Sequence, residues 1–117
     1  MGRLSTHVLD ASRGEPARGV VVDLHMLRDG ERLHLTTVTL NSDGRTGEPL
    51  LSEQNMQAGV YELTFHAGDY FRAIGTVLPD PPFLDQVVIR FGLADAGANY
   101  HVPLLIAPYS YSTYRGS

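Results

Sequence analysis

The sequence predicts an all-β domain, an antiparallel β-sandwich of two sheets with one short helix. About six to eight short segments alternate apolar and polar residues with period two, and turn residues separate them at regular spacing. Only one segment has the spacing of an amphipathic helix. The longest late segment, residues 100–108, is apolar on both faces although no helices are predicted to cover it. A sandwich with an additional cover on one sheet accounts for all three observations.

Composition limits the classes of protein that this chain can represent. Its 117 residues, 43% hydrophobic and 19% charged, suit one globular domain spanning residues 1–117. A formal net charge of -4 argues against nucleic acid or an anionic membrane as a partner. The absence of cysteine excludes a disulfide scaffold and any thiolate metal site. The start of the chain has no apolar signal segment and no later run is long enough to span a bilayer, so we expect a soluble cytoplasmic protein.

The first predicted strand, residues 4–10, carries a histidine on its outer face. Thr6 and Val8 share one face of this strand, as β-branched residues do on the packed face of a sheet. The opposite face presents Ser5, His7 and Leu9. Residues 14–19 contain two glycines and a proline and predict a turn.

A hairpin and a second turn follow. Residues 20–26 and 32–39 both alternate and flank Asp29-Gly30, a dipeptide typical of tight hairpins. Residues 41–44, Asn-Ser-Asp-Gly, are a strong turn signal. This turn places Arg45 at or just beyond its tip.

The second half of the chain has one predicted helix between strands. Residues 59–67 alternate as a strand with one buried face, and residues 86–91 form another strand. Between them Asp69 is predicted to cap a short helix that stops at Gly75. Residues 47–58 have no clear period and are interpreted as a short strand plus loop.

The last long strand suggests that the protein associates with copies of itself. One face of residues 100–108 carries Tyr100, Val102, Leu104 and Ile106. The other face carries His101, Pro103, Leu105 and Ala107. Since both faces are largely apolar, another subunit is the natural cover for the outer one. Pro103 removes a ladder donor and predicts an edge strand or a bulge.

The five histidines divide into two groups. His25, His34 and His66 fall on polar strand faces, where we expect solvated side chains without a role. His7 and His101 instead share their outer faces with apolar residues, so a water-poor interface is predicted to surround two imidazoles. Each of them singly can be a histidine that only packs in an interface. Two such histidines on strands that can be neighbours in one sheet favour a functional site.

These residue types suit hydrolysis of a small, flat, polar heterocycle. Histidine takes a proton from water, Arg45 can hold a planar carbonyl through paired hydrogen bonds, and tyrosines of the tail can stack on a ring. A zinc site is disfavoured because neither helical HExxH spacing nor cysteine is present. A Ser-His-Asp triad is equally unsupported, since no GxSxG motif exists.

The chain resembles the 5-hydroxyisourate hydrolase family, the transthyretin-related enzymes of purine breakdown, over essentially its full length. The matching segments are residues 4–10 (LSTHVLD), 14–17 (GEPA), 41–45 (NSDGR), 100–105 (YHVPLL) and 109–117 (YSYSTYRGS). The ending Tyr-Arg-Gly-Ser, residues 114–117, is the family's C-terminal signature and is lacking in the transthyretins that share the fold.

This resemblance implies a transthyretin-like sandwich and a homotetramer built as a dimer of dimers. Active sites are then expected in the channel between dimers. The implied reaction opens the six-membered ring of 5-hydroxyisourate by hydrolysis of one amide bond, without a metal or cofactor. The implied product is 2-oxo-4-hydroxy-4-carboxy-5-ureidoimidazoline.

The resemblance also assigns residues. The family's catalytic residues fall on His7, Arg45, His101 and Ser117, and the substrate is lined by His7, Arg45 and Tyr114. Either histidine can be the general base, with the other orienting water or protonating the leaving nitrogen. Arg45 is expected to stabilise the oxyanion, and Ser117 to position water or a histidine.

Two other functions stay open at this point. A non-enzymatic transthyretin-like carrier would bind a small aromatic ligand in the same channel, but such a channel is expected to be mostly apolar. A purely structural sandwich domain would leave the C-terminal signature without a purpose.

Overall fold

The computed structural model describes residues 2–116, which form two four-stranded sheets and one helix. In chain order the elements are β1 (Arg3–Asp10), β2 (Glu15–Pro16), β3 (Val21–Arg28), β4 (Glu31–Thr39), β5 (Gly59–Phe65), α1 (Ala67–Ala73), β6 (Val87–Leu93), β7 (Asn99–Ala107) and β8 (Ser110–Thr113). The first sheet has the strand order β2-β1-β7-β8, and the second has β4-β3-β5-β6.

The predicted sandwich of two sheets with one short helix is confirmed. Every pairing between named strands is antiparallel except one: β1 and β7 run parallel, with Ser5 opposite His101 and His7 opposite Pro103. A parallel pair needs a long crossover, and here the whole second sheet lies between the two strands in sequence. The parallel pair occupies the centre of the first sheet and carries both outer-face histidines.

The core lies between the sheets and follows the predicted alternation. On β1 the inward residues Leu4 and Val8 are fully buried, and on β7 Leu104 and Ile106 are buried as well. The second sheet contributes Val22, Leu24, Tyr61, Leu63 and Phe65. Because side chains alternate along a strand, burying these residues turns Ser5, His7 and His101 outward.

A buried carboxylate ties β1 to the helix. Asp10, at the end of β1, is fully buried and accepts a hydrogen bond of 2.8 Å from the hydroxyl of Tyr70. Burial raises the pKa of Tyr70, and the neighbouring Asp10 carboxylate raises it further. The backbone and side chain of Ser12 also donate to Asp10. This network fixes the end of the strand that bears His7.

The helix begins three residues earlier than predicted. It starts at Ala67 with His66 as its N-cap, so Asp69 lies in the first turn rather than at the cap. A carboxylate there still complements the positive end of the helix dipole. Its buried residues include Tyr70 and Phe71, as the helical spacing predicted. Within residues 2–116 no helix is long and apolar enough to cross a membrane.

The outer face of the second sheet is less exposed than predicted. Glu62 of β5 is only 6% exposed, because Arg90 from the adjacent strand β6 and Arg32 from β4, which reaches across β3, lie over it at 2.8 and 3.0 Å. These hydrogen bonds lower the pKa of Glu62. His25 is also buried, which corrects the expectation of a solvated side chain. Its ring packs edge to face on His34, whose side chain is exposed as predicted.

Pro103 lies in a central strand, so the prediction of an edge or bulge was wrong. The carbonyl of Pro103 accepts a hydrogen bond from the Thr113 hydroxyl, on the side of β7 that faces β8. The ladder with β8 ends at Leu104 opposite Thr113, one residue short of Pro103. The bridge between His101 and Gly116 continues the same register on the other side of Pro103, so the missing N–H lies where the ladder between β7 and the tail is interrupted.

The irregular segment 47–58 covers one side of the core without forming a named strand. Leu50, Leu51 and Met56 are buried, and Leu51 makes an isolated bridge to Leu4. The predicted short strand is thus reduced to one bridge and a loop.

Candidate active site

The outer face of the β1–β7 pair brings together three of the predicted site residues. His7 of β1 forms an isolated backbone bridge with Arg45, and the Val8 N–H donates to the Gly44 carbonyl at 2.9 Å. His101 lies on the adjacent strand β7, facing the same side. We refer to His7, Arg45 and His101 as the outer-face triad.

The turn at residues 41–44 positions Arg45 as predicted. The Asn41 side-chain oxygen accepts the N–H groups of Asp43 and Arg45 at 2.9 and 3.2 Å, which is the reason asparagine suits this turn. Gly44 has φ 72, and a β-carbon there would collide with the Val8 carbonyl oxygen. The turn can therefore pack against β1 only with glycine at this position.

Arg45 is exposed and has no ion-pair or hydrogen-bond partner for its guanidinium within residues 2–116. It lines an open cavity of about 430 Å³ beside β1. Other residues lining that cavity are Arg3, Ser5, Asn41, Asp43 and Thr46. An arginine without a carboxylate partner is available to bind a planar carbonyl or an anion.

Both imidazoles of the triad are held neutral at pH 7. Burial lowers the pKa of His7 below its ordinary 6.5, and the charge of Arg45 lowers it further. A hydrogen bond to the backbone carbonyl of Asp43 opposes this shift. Burial likewise lowers the pKa of His101, with Arg45 and His7 adding to the effect. Neutral imidazole is the form that accepts a proton from water.

His101 is fixed by contacts on two sides. Its Nδ1 lies 2.8 Å from the hydroxyl of Ser5, the residue opposite it on β1. Gly116 donates its N–H to the His101 carbonyl at 2.7 Å. A β-carbon at Gly116 would lie 2.6 Å from Cδ2 of the His101 ring, so glycine allows the tail to pass over the imidazole.

One predicted residue, Tyr114, is not brought to the triad within one chain. Tyr114 lines a separate cavity of about 410 Å³ together with Tyr100 and Val102, which face inward. The side chain of Arg115 stacks on the Tyr100 ring at 4.1 Å and anchors this part of the tail. Ser117 lies outside the described residues. The roles of Tyr114 and Ser117 therefore stay predictions.

Three contributors to this site were not predicted from the sequence: the Ser5 hydroxyl, the Asp43 carbonyl and Gly116. The alternation did place Ser5 on the outer face beside His7, but it gave no sign of its partner. Within residues 2–116 no group of three or more histidine, cysteine or carboxylate side chains could hold a metal ion. The chemistry of the triad is that of proton transfer and charge stabilisation.

We compared the sequence and the fold of this chain with those of known proteins. Residues 4–116 match the HIUase/Transthyretin family. The chain belongs to this family.

Members of the HIUase/Transthyretin family with similar sequences include 5-hydroxyisourate hydrolase 2 of Rhizobium meliloti. It is 57% identical over 116 residues, which are 99% of this chain and 97% of the relative. Among solved structures, (S)-allantoin synthase matches with a TM-score of 0.94 and 43% identity over 99% of this chain. The match spans only 44% of that protein's length. Sea bream transthyretin in complex with thyroxine matches with a TM-score of 0.87 and 28% identity, covering 97% of this chain and 94% of that one.

Proposed function

We propose that this protein is a 5-hydroxyisourate hydrolase that opens the six-membered ring of its substrate at one amide bond. The observation that carries the proposal is the outer-face triad, two imidazoles with lowered pKa beside an arginine whose guanidinium has no partner in residues 2–116. It occurs in a chain 57% identical to a relative named for this activity over 97% of that relative's length. The product is 2-oxo-4-hydroxy-4-carboxy-5-ureidoimidazoline, and the reaction serves urate breakdown in the cytoplasm.

The chemistry requires no group beyond the side chains of the site. A neutral histidine takes a proton from water as the water oxygen adds to the ring carbonyl. Arg45 stabilises the negative charge that develops on the carbonyl oxygen. The carbon–nitrogen bond then breaks, and the proton held by histidine passes to the departing nitrogen. Tyr114 stacks on the ring from a neighbouring subunit, and Ser117 positions water or a histidine.

The direct test follows the ultraviolet decay of freshly made 5-hydroxyisourate with and without the protein. The proposal requires decay faster than the spontaneous reaction and proportional to protein concentration. A rate equal to the spontaneous one would refute it. The carrier alternative predicts slower decay, because a bound ligand is protected from water. The family match to a thyroxine-binding structure at 28% identity gives this alternative less support than the hydrolase relative does.

Activity should depend on pH through the two histidines. Since burial and Arg45 lower both pKa values below 6.5, the neutral forms are present at pH 7 and are lost as pH falls through the lowered values. We expect kcat/KM to be flat near pH 7 and to fall on the acid side, with an apparent midpoint below pH 6.5. Because His7 and His101 interact, this midpoint describes the titration of both residues together. Arg45→Gln should move this midpoint upward because it removes the nearby cation. An acid limb centred above pH 7, or none, would contradict this assignment.

The site is completed by assembly into a tetramer, a dimer of dimers. Leu9, Leu105 and Ala107 lie on the same outer face as the triad and are only partly covered within one chain. A second dimer packed on this face buries them and encloses the substrate.

Leu105→Glu should therefore weaken assembly and lower activity together, as sedimentation and the decay assay would show. Val77→Glu is the matched control, since Val77 is 96% exposed and distant in sequence from this face. A wild-type protein that sediments as a monomer at micromolar concentration would rule out the shared channel.

A further inference from the structure

The hydroxyl of Ser5 contacts the ring of His101. The parallel register of β1 and β7 places the two residues directly opposite each other, and Ser5 Oγ lies 2.8 Å from Nδ1 of His101. At this distance the atoms share a hydrogen bond. Two arrangements satisfy it: either the hydroxyl donates to an unprotonated Nδ1, or Nδ1–H donates to the hydroxyl oxygen.

The surroundings of Ser5 favour the hydroxyl as donor. Within residues 2–116, Nδ1 of His101 is the acceptor that Ser5 Oγ contacts, and no second acceptor lies within hydrogen-bond distance. A half-buried hydroxyl places its hydrogen on an available acceptor, because an unused donor is costly. Neutral His101 then carries its own hydrogen on Nε2, which has no partner in the described part of the chain.

His7 has the opposite arrangement. The backbone carbonyl of Asp43 acts on the His7 ring as a hydrogen-bond acceptor and raises its pKa against the other effects, so we expect neutral His7 to direct its own N–H toward that carbonyl. The other nitrogen then exposes a lone pair. The two imidazoles of the triad thus differ in what they present: His7 presents an acceptor, and His101 presents a donor.

We propose that Ser5 is a positioning residue that holds His101 in the Nε2–H form, so that His7 is the general base and His101 a neutral hydrogen-bond donor. This assignment rests on the proposed function. His7 takes the proton from water and passes the same proton to the departing nitrogen, so His7 ends neutral. His101 keeps its hydrogen and polarises the substrate carbonyl together with Arg45, as a neutral imidazole can do.

The test uses the intact protein without substrate. In ¹⁵N-histidine-labelled protein, long-range ¹H–¹⁵N spectra identify the tautomer of each ring, and a pH titration measures the pKa of His101; a His101→Gln sample assigns its signals. We expect neutral His101 to carry its hydrogen on Nε2. Neutral His7 should carry its hydrogen on the ring nitrogen that faces the Asp43 carbonyl. Arg45 and His7 are the charged and titratable groups that act on His101, and both are retained in the variants.

Replacing Ser5 with alanine tests whether the hydroxyl sets the tautomer of His101. The pKa alone cannot give the direction of the bond, because the hydroxyl can donate to neutral His101 and turn to accept from the protonated ring. Above the pKa of His101, Ser5→Ala should shift the neutral ring from the Nε2–H form toward the Nδ1–H form, and Ser5→Thr, which keeps the hydroxyl, should restore the Nε2–H form. An Nε2–H population that is the same in Ser5→Ala as in the wild type would overturn the proposal. Ser52→Ala is the control, because the Ser52 hydroxyl donates to Gln54 and has no contact with His101 within residues 2–116.

Kinetics provide a second readout. Ser5→Ala should lower kcat by about three- to tenfold, as for the loss of one hydrogen bond, with KM little changed, and Ser5→Thr should recover most of the loss. If Ser5→Ala does not fold, the tautomer of His101 in the wild type and in Ser5→Thr still tests the proposal, because both proteins keep the hydroxyl. A wild-type His101 in the Nδ1–H form would refute the assignment. The spectra need no turnover, so an inactive wild-type protein would refute the proposed function without touching the assignment of Ser5.

Discussion

Replacing His7 or His101 with alanine should lower kcat for 5-hydroxyisourate by about two to four orders of magnitude. The lower limit reflects loss of a positioned hydrogen-bond donor, and the upper limit loss of a general base. The backbone of His7 is bridged to Arg45 and the ring of His101 contacts Ser5, so both residues are positioned before substrate binds. Preorganised groups of this kind contribute most where water is excluded. The measurement is the initial decay rate, corrected for the spontaneous reaction.

The matched control for these variants is His34→Ala. The His34 side chain is 54% exposed on the other sheet and lies outside the proposed site. This variant should keep the wild-type rate, while all three should keep their fold by circular dichroism and their assembly by sedimentation. If His7→Ala and His101→Ala both retain near-normal rates, the reaction takes place elsewhere on the protein.

Removal of residues 114–117 should lower kcat/KM by about a hundredfold or more and leave a folded protein. The core is built from β1 to β7, and a terminus seldom carries the stability of a domain. The tail does, however, hold the site: Gly116 donates to the His101 carbonyl and passes over its ring. Without it the imidazole gains freedom, and a displacement of about 1 Å is sufficient for a loss of this size. Activity and thermal unfolding should be measured at the same protein concentration, because assembly affects stability.

Gly116→Ala keeps residues 114–117 and disturbs only the contact between the tail and the His101 ring. It therefore separates the steric contribution to the loss of activity from removal of the whole tail. The added β-carbon would come within 2.6 Å of Cδ2 of His101, so the ring or the tail must shift. We expect a marked fall in kcat with the oligomer intact. A truncated protein that hydrolyses 5-hydroxyisourate as fast as the full chain would show that the C-terminal signature is not part of the site.

Alternation alone was sufficient to place the two histidines of the triad. In a strand with one buried face the side-chain period is two, so burying Val8 and Leu104 sends His7 and His101 outward whatever the rest of the fold does. Arg45 was predicted for an equally local reason. Asn41 hydrogen-bonds the backbone of its own turn, and this needs no distant partner.

Burial on the second sheet was predicted poorly because it depends on distant side chains. Glu62 lies on a polar face, yet Arg32 from β4 and Arg90 from β6 cover it. Long arginine side chains bury what lies beneath them while keeping their charge near water. His25 is covered in a related way by His34, which reaches it only because β3 and β4 pair through a bulge.

By itself, the sequence determined the sandwich, the outward histidines and the turn that presents Arg45, because each follows from periodicity or from hydrogen bonds between neighbours in the chain. Only the tertiary structure decided that β1 pairs in parallel with β7. That pairing joins segments 96 residues apart, places Ser5 against His101 and gives Pro103 a central strand. Nothing local specifies such a register, since it is set by how both sheets share one core. The contacts that orient the two imidazoles therefore become visible only in the folded chain.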